Sequence, residues 1–343
     1  MTETTQGFEQ RKADHIRLSL DPQTEATGLT GLQTIELMHE ALPDLDFDDI
    51  TLHSRQLGKD VKTPFLISSM TAGHKDGLIV NERLMTAAAE RDWAMGVGSQ
   101  RKELFDNKAH LEWLNLRKKF PTLRLFGNIG IAQVITSSLA DMQRLVDNLE
   151  ADALQIHLNP LQECIQGEGT PQFKGGYDAI ETLCLSLNVP VIIKETGCGI
   201  SHVTMKRLNN VGIKALDVSG FGGTHWGRIE GLRTHNTTQK RAAHTFKNWG
   251  INTLNSLTSA QRLDLDYEIW GSGGIRNGLD CAKLIALGAT TFGFARPMLA
   301  TALESQNALT KLTQTIEFEL KTALFCTGHA SINALEENEH ALL

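Results

Sequence analysis

The sequence predicts an α/β chain folded as a (β/α)8 TIM barrel, with an N-terminal extension and a C-terminal helix. Three observations point there. Eight short apolar runs alternate with amphipathic segments between about residues 64 and 300. The runs are rich in Ile, Val, Leu and Phe, as for parallel strands covered on both faces. The last two end in Gly271-Ser272-Gly273-Gly274-Ile275-Arg276 and in Ala295-Arg296-Pro297. This fold places a phosphate site after strands seven and eight, where glycine lets backbone N–H groups approach an anion.

Residues 1–60 precede the barrel as an extension expected to contribute to the substrate site, and 61–343 hold the barrel and its tail. The strands are expected at Pro64–Ser69, Ala94–Ser99, Leu123–Ile131, Ala153–Leu158, Pro190–Glu195, Ala215–Ser219, Tyr267–Gly271 and Thr290–Ala295. Helical spacing of apolar residues marks Asn81–Arg91, Leu139–Asn148, Tyr177–Ser186 and Leu279–Leu287 between them. The span matches the typical barrel of about 250 residues. Two long insertions break the rhythm. Residues 159–176 read as a polar, glycine-rich loop, and 220–250 separate the sixth strand from its helix. Loops of this length inside a barrel are usually functional or disordered. The tail from Thr301 to Ala323 reads as one helix, with Leu303, Leu309, Leu312, Ile316 and Leu320 spaced to cover the barrel or a partner.

The 343 residues carry 41% hydrophobic and 21% charged side chains, enough for a packed core. The net charge of −7 argues against non-specific nucleic-acid binding, yet a few focused cations in a cleft suffice for a small anion. No apolar run approaches the roughly 20 residues of a membrane span. The five cysteines are scattered without a Cys-x-x-Cys pair, so no disulfide framework is expected and a cytoplasmic setting is. The apolar tail and the aromatics Trp226 and Trp249, read as exposed, point to self-association; a homo-oligomer, tetramer or octamer, is the expectation, its size not set by these residues.

Polar residues recur at the C-terminal ends of the strands, where barrel enzymes keep their sites. They are Ser68-Ser69-Met70-Thr71, Ser99-Gln100-Arg101, Asn128, His157 with Asn159, Lys194-Glu195 and Ser219. A lysine ending the apolar strand Pro190–Glu195 has to meet an anion, pair with Glu195 or another carboxylate, or serve as a Schiff-base amine. Asn159-Pro160-Leu161-Gln162-Glu163 is either a solvated loop with a helix start or a site in which Glu163 holds Mg²⁺ shared with a diphosphate and Gln162 orients a neutral group. Arg11-Lys12-x-x-His15 is a compact cationic cluster, either a solvated turn or a clamp on a phosphorylated substrate. Gly220-Phe221-Gly222-Gly223-Thr224-His225-Trp226 is either a glycine-rich turn or a loop that closes over a ligand.

With these motifs, together with His157-Leu158-Asn159-Pro160-Leu161-Gln162-Glu163 and Asp217-Val218-Ser219-Gly220, the chain resembles the type 2 isopentenyl-diphosphate isomerases, FMN-dependent TIM-barrel enzymes. The resemblance runs from Arg11 to Arg296 and implies interconversion of isopentenyl and dimethylallyl diphosphate on reduced FMN, with NADPH as reductant and Mg²⁺. By resemblance, FMN is held by Ser68, Ser69, Met70, Thr71, Ser99, Asn128, Lys194, Ser219 and Thr224. Its phosphate rests on Gly273, Gly274, Arg276, Ala295 and Arg296. The prenyl diphosphate meets Arg11, Lys12, His15, Ser99 and Arg101, with His157, Asn159 and Gln162 beside it. Glu163 holds the metal, and Gln162, Lys194 and His157 take catalytic parts. Three places depart from the family's usual pattern. Thr71-Ala72-Gly73 stands for Thr-Gly-Gly, Gly167-Glu168-Gly169-Thr170 for Pro-Glu-Gly-Asp, and His225 for Ser. The competing expectation is an FMN-dependent 2-hydroxy-acid oxidoreductase, which needs a His base beside an Arg late in the barrel; Arg276 has no adjacent His.

Overall fold

In the computed structural model, which describes residues 5–70, 77–106, 108–338 and 340–343, eight parallel strands close into a barrel. A two-stranded hairpin, β1 (Ser54–Gln56) and β2 (Lys59–Val61), precedes it. The barrel strands are β3 (Phe65–Ile67), β4 (Ala94–Gly96), β5 (Leu125–Gly130), β6 (Ala153–Leu158), β7 (Val191–Glu195), β8 (Ala215–Asp217), β9 (Glu268–Ser272) and β10 (Thr291–Phe294). They neighbour one another in chain order, and β10 pairs with β3 to close the ring.

Alternation along these strands sorts the side chains. Leu154, Ile156, Ile193, Phe65 and Ile67 join the large outer core beneath the helices. Leu66, Ala94, Phe126, Ala153, Ile192, Ala215 and Trp270 form a separate buried cluster, which is the barrel interior. Phe126 and Trp270 plug it, with ring centroids 5.7 Å apart. Two residues further along each strand the side chain faces the interior again. That step lands on Ser68, Gly96, Asn128, Gln155, Lys194, Asp217 and Ser272. The apolar plug is therefore roofed by a polar layer, and that layer is the floor of the site.

The structure departs from expectation in four places. The 159–176 insertion opens with a helix, Pro160–Ile165, started by the proline at its first position. The 220–250 insertion holds two helices, Trp226–Arg233 and Thr237–Thr245, rather than an open loop. The tail is two helices, Arg296–Glu304 and Gln306–Cys326; Ser305 ends the first and caps the second by accepting from Ala308 N at 3.1 Å. Leu309, Ile316 and Leu320 are buried, whereas Leu303 is exposed. Of the two tryptophans read as exposed, Trp249 is, but Trp226 is half-buried with its ring edge-on to His15. Among the described residues no helix is long and apolar enough to cross a membrane.

Ahead of the barrel, the helix Thr5–Ser19 and the turn Pro22–Thr24 lie against the 220–233 region. Thr224 bridges Glu25, and Ala26 N donates to Gly223 O at 2.8 Å.

Candidate active site

The polar layer opens into a cavity of about 220 Å³ at the C-terminal mouth of the barrel. Every expected site residue among the described ones lines it; Thr71 and the neighbouring Ala72 lie outside the described residues.

One end is built from glycine. Gly273 and Gly274 adopt φ of +97° and +80°, and a Cβ on either would run into the backbone of Gly220 or Gly222. Gly223 packs as closely, a Cβ there meeting Gly274 N at 2.6 Å. The loops after β8 and β9 thus fit backbone to backbone, and side chains there would hold them apart. Arg276 and Arg296 stand beside this cradle, and both face the carboxylate of Glu25.

On the floor, Lys194 Nζ donates to Glu195 O at 2.9 Å and lies 3.5 Å from Asp217 Oδ2 and from Ser219 Oγ. The carboxylate that meets the buried lysine is therefore Asp217. The Glu195 side chain instead accepts from the N–H groups of Thr196, Gly197, Cys198 and Gly199 at 2.5–3.1 Å. Asp217 Oδ1 accepts from Ser272 Oγ at 2.5 Å and Ser219 N at 3.1 Å, which ties β7, β8 and β9 together beneath the cavity.

His157 Nδ1 lies 2.9 Å from Asn128 Oδ1. Burial, and the nearby charges of Lys194, Lys12 and Arg101, push its pKa down to about 3. The ring is neutral at pH 7, Nδ1–H donates to Asn128, and Nε2 keeps its lone pair as an acceptor.

The other end is a carboxylate and amide network under the N-terminal helix. His15 Nε2 meets Glu230 Oε1 at 2.8 Å, and Gln162 Nε2 reaches the same oxygen at 3.4 Å. Arg233 Nη1 holds Glu230 Oε2 at 2.6 Å. Burial works against the Glu230 carboxylate, yet His15 and Arg233 hold it below the ordinary carboxylate range. Burial lowers His15, so a neutral imidazole donates to an ionised Glu230. Asn159 Nδ2 donates to Gln162 Oε1 at 3.0 Å and to Glu163 Oε1 at 2.9 Å. Both ends of the Gln162 amide are thereby oriented. Thr170 donates to Glu163 Oε2 from its N–H at 2.5 Å and from its hydroxyl at 3.3 Å. Arg11 is buried, 3.9 Å from Glu168.

Sequence reasoning missed Glu230, Asp217 as the partner of Lys194, and Glu25. Asp217 was within reach, because it lies two residues after the interior Ala215. Glu230 and Glu25 meet His15 and Arg276 across more than 200 residues of chain, a pairing without a local signal.

A planar, phosphate-bearing ligand suits this arrangement. Among the described residues nothing bonds the buried Ser68 Oγ beside the cavity, and the glycine end offers N–H groups where side chains cannot stand. For a metal the donor set is thin. Among the described residues no three His, Cys, Asp or Glu converge, so Glu163 would bring a single carboxylate. Mg²⁺ tolerates that when substrate phosphates and water complete its shell.

A family model described as FMN-dependent dehydrogenase matches residues 122–341. The chain is 56% identical over 331 residues to an isopentenyl-diphosphate delta-isomerase of Legionella pneumophila (strain Corby), covering 96% of this chain and 97% of that one. It is 49% identical to an isopentenyl-diphosphate delta-isomerase of Bdellovibrio bacteriovorus, with 99% of each covered. Among solved structures, a flavocytochrome b2 mutant superposes with a TM-score of 0.67 at 17% identity, over 100% of this chain and 86% of that one. Mandelate oxidase with (S)-2-phenylpropionate gives 0.63 at 17% identity, over 98% and 97%. These last two share the barrel.

Proposed function

This chain belongs to the isopentenyl-diphosphate delta-isomerase family, on a barrel of the FMN-dependent dehydrogenase type, and we propose that it interconverts isopentenyl and dimethylallyl diphosphate at this cavity. The carrying observation is the cavity's division. A glycine cradle with Arg276 stands at one end, and Arg11, Lys12 and Arg101 line the rest with the Gln162–Glu163 pair. Two separate anion-seeking ends suit a phosphorylated cofactor and a diphosphate substrate in one cavity.

FMN, when bound and reduced, supplies a ring nitrogen able to give and accept a proton, which an unactivated alkene needs and few side chains provide near pH 7. The residues that would hold it are Ser68, Ser69, Met70, Ser99, Asn128, Lys194, Ser219 and Thr224 along its ring and chain, with Gly273, Gly274, Arg276 and Ala295 at its phosphate; the Arg296 guanidinium lies on the carbonyls of residues 19–21 instead. Lys194, anchored on Asp217, offers a fixed positive charge in the cavity floor. Arg11, Lys12, His15 and Arg101 grip the diphosphate, and the helix Thr5–Ser19 that carries the first three excludes water. The Asn159–Gln162–Glu230 chain sets the Gln162 amide beside the prenyl group. Neutral His157 and Asn159 border the same space, and Glu163 supplies the protein's ligand to Mg²⁺. NADPH as reductant, a homo-oligomer and the cytoplasm complete the proposal.

The 2-hydroxy-acid oxidoreductase reading loses its chemistry here. The imidazoles lining the cavity are His15 and His157; they bond Glu230 and Asn128, and Arg276 bonds Glu25 and backbone carbonyls. The test is a visible spectrum of the purified protein, then anaerobic incubation with isopentenyl diphosphate, Mg²⁺, FMN and NADPH. A yellow protein that forms dimethylallyl diphosphate without net oxidation supports the proposal. A protein that cannot be loaded with FMN, or that turns over only 2-hydroxy acids, ends it.

A further inference from the structure

A helix leaves its last carbonyls without helical partners, and each has to be satisfied by something else. At the end of Thr5–Ser19, the Ser19 hydroxyl donates to Ile16 O at 2.8 Å. Leu20 N and Asp21 N take the carbonyls of Arg17 and Leu18 at 3.3 and 3.0 Å. The next two carbonyls go to a side chain from the far end of the sequence. Arg296 donates from Nη1 to Ser19 O at 2.7 Å and to Asp21 O at 3.3 Å, and from Nη2 to Leu20 O at 2.7 Å. Among the described residues nothing else donates to Ser19 O or Leu20 O. The Nε of Arg296 faces Glu25 Oε2 at 3.5 Å, and the other Glu25 oxygen pairs with Arg276.

The guanidinium is thus turned toward the chain at 19–25. Its planar fork spans three successive carbonyls, a geometry that a lysine ammonium on a flexible stem does not reproduce. A cation at a helix C-terminus is also favoured by the helix dipole. The tethered helix is the one that carries Arg11, Lys12 and His15.

We propose that Arg296 is a positioning residue for the substrate clamp: it tethers the C-terminal end of the helix Thr5–Ser19 to the start of the last barrel helix, and Glu25 keeps its guanidinium in register with Arg276. The cofactor end and the diphosphate end of the cavity are coupled through this tether. What the two ends bind rests on the function proposed above. The tether itself is a statement about chain contacts. The phosphate cradle keeps Gly273, Gly274 and Arg276 without it.

The test compares the full-length protein with Arg296→Lys and Glu25→Gln. Three quantities are measured: flavin absorbance after saturation with FMN, affinity for inorganic pyrophosphate, and amide hydrogen exchange across residues 10–26. For Arg296→Lys, flavin uptake is expected to match the wild type while pyrophosphate binds about tenfold more weakly, the loss of roughly one charge-assisted hydrogen bond. Exchange rises in residues 10–26 and nowhere else. Glu25→Gln keeps Arg296 and shows the same pattern at smaller amplitude, so it carries the test if the lysine variant does not fold. Loss of flavin with unchanged exchange and unchanged pyrophosphate affinity would make Arg296 a phosphate ligand and overturn the tether. Full rescue of exchange protection by lysine would overturn it as well. If the wild type takes up neither FMN nor pyrophosphate, the proposed function falls, and the exchange comparison still decides the tether.

Discussion

Replacing His225 by serine should remove part of the protein's sensitivity to acid. His225 caps the helix Trp226–Arg233: its Nδ1 accepts from Arg228 N at 3.2 Å, and its Nε2 donates to Trp249 O at 3.1 Å. The first bond requires the neutral ring, because protonated Nδ1 cannot accept; the second survives protonation. Burial is the main force against the charged form, the Trp249 carbonyl opposes it, and the Arg228 charge reinforces it; the pKa falls from 6.5 to about 4. The facing side chains are the Cys198 thiol at 3.7 Å and the Phe221 ring, and neither offers the imidazolium a counter-charge. Because the folded pKa lies below the unfolded one, the stability held by this group is full above pH 6.5 and is lost as pH falls toward about 4. At pH 5 the loss is about 2 kcal/mol, the unfolded ring taking up a proton that the folded ring refuses. Serine caps a helix as well as any residue. The serine variant still loses ring packing on Phe221 and the bond to Trp249, about 1–3 kcal/mol at pH 8. Urea unfolding of both proteins at pH 8 and pH 5 should show the gap between them shrinking by about 2 kcal/mol at the lower pH. Titration of His157 is common to both proteins and cancels. A gap that stays constant to within a few tenths of a kcal/mol would refute the reasoning.

Other perturbations address the cavity. Gly273→Ala places a Cβ against the Gly220 backbone at a φ of +97°, where an L-residue already pays about 1–2 kcal/mol; flavin retention after gel filtration should drop, and unchanged retention would count against the cradle. Glu163→Gln should weaken Mg²⁺-dependent turnover while leaving flavin absorbance intact; full activity with the metal chelated would remove Glu163 as its ligand. Lys12→Ala should raise the KM for isopentenyl diphosphate about tenfold or more, with little change in flavin content, as expected for one charge-assisted contact to a diphosphate. An unchanged KM would place the diphosphate elsewhere.

The barrel was legible because parallel strands buried on both faces are written as unbroken apolar runs, and Ala153–Leu158 begins and ends where the sequence reading put it. Strand-end residues were legible by the same logic, since Lys194 and Asn128 sit one interior step beyond Ile192 and Phe126. The insertion helices left no such trace. Trp226–Arg233 buries Gly227, Ile229, Glu230 and Gly231, which form no apolar stripe. It is set by its cap at His225, as Thr237–Thr245 is by Asn236 accepting from Thr238 N and Gln239 N. Glycines drew attention as a loop and hid a helix. In the tail, correct apolar spacing concealed a break, because Ser305 shifts the chain by one cap without disturbing Leu309, Ile316 and Leu320.

The barrel shared with the mandelate oxidase and flavocytochrome b2 structures fixes where a ligand sits, and leaves open which bond changes. The difference must come from what borders the common mouth. In this chain much of that border is supplied by segments outside the (β/α)8 core: the helix Thr5–Ser19 brings Arg11, Lys12 and His15, and the insertion helix Trp226–Arg233 brings Glu230 to meet His15. The Gln162 amide joins these pieces to the barrel end, reaching Glu230 on one side and Asn159 on the other. A diphosphate is doubly charged at least, so a cavity that takes one has to add cations at its mouth. An added helix carrying an Arg–Lys pair does so while leaving the Lys194–Asp217 pair and the apolar plug below unchanged. On the function proposed above, substrate class on this scaffold would follow from the arm and the insertion. An isolated barrel cut before residue 61 should therefore lose the prenyl diphosphate as substrate, even where enough of the cradle survives to hold a flavin.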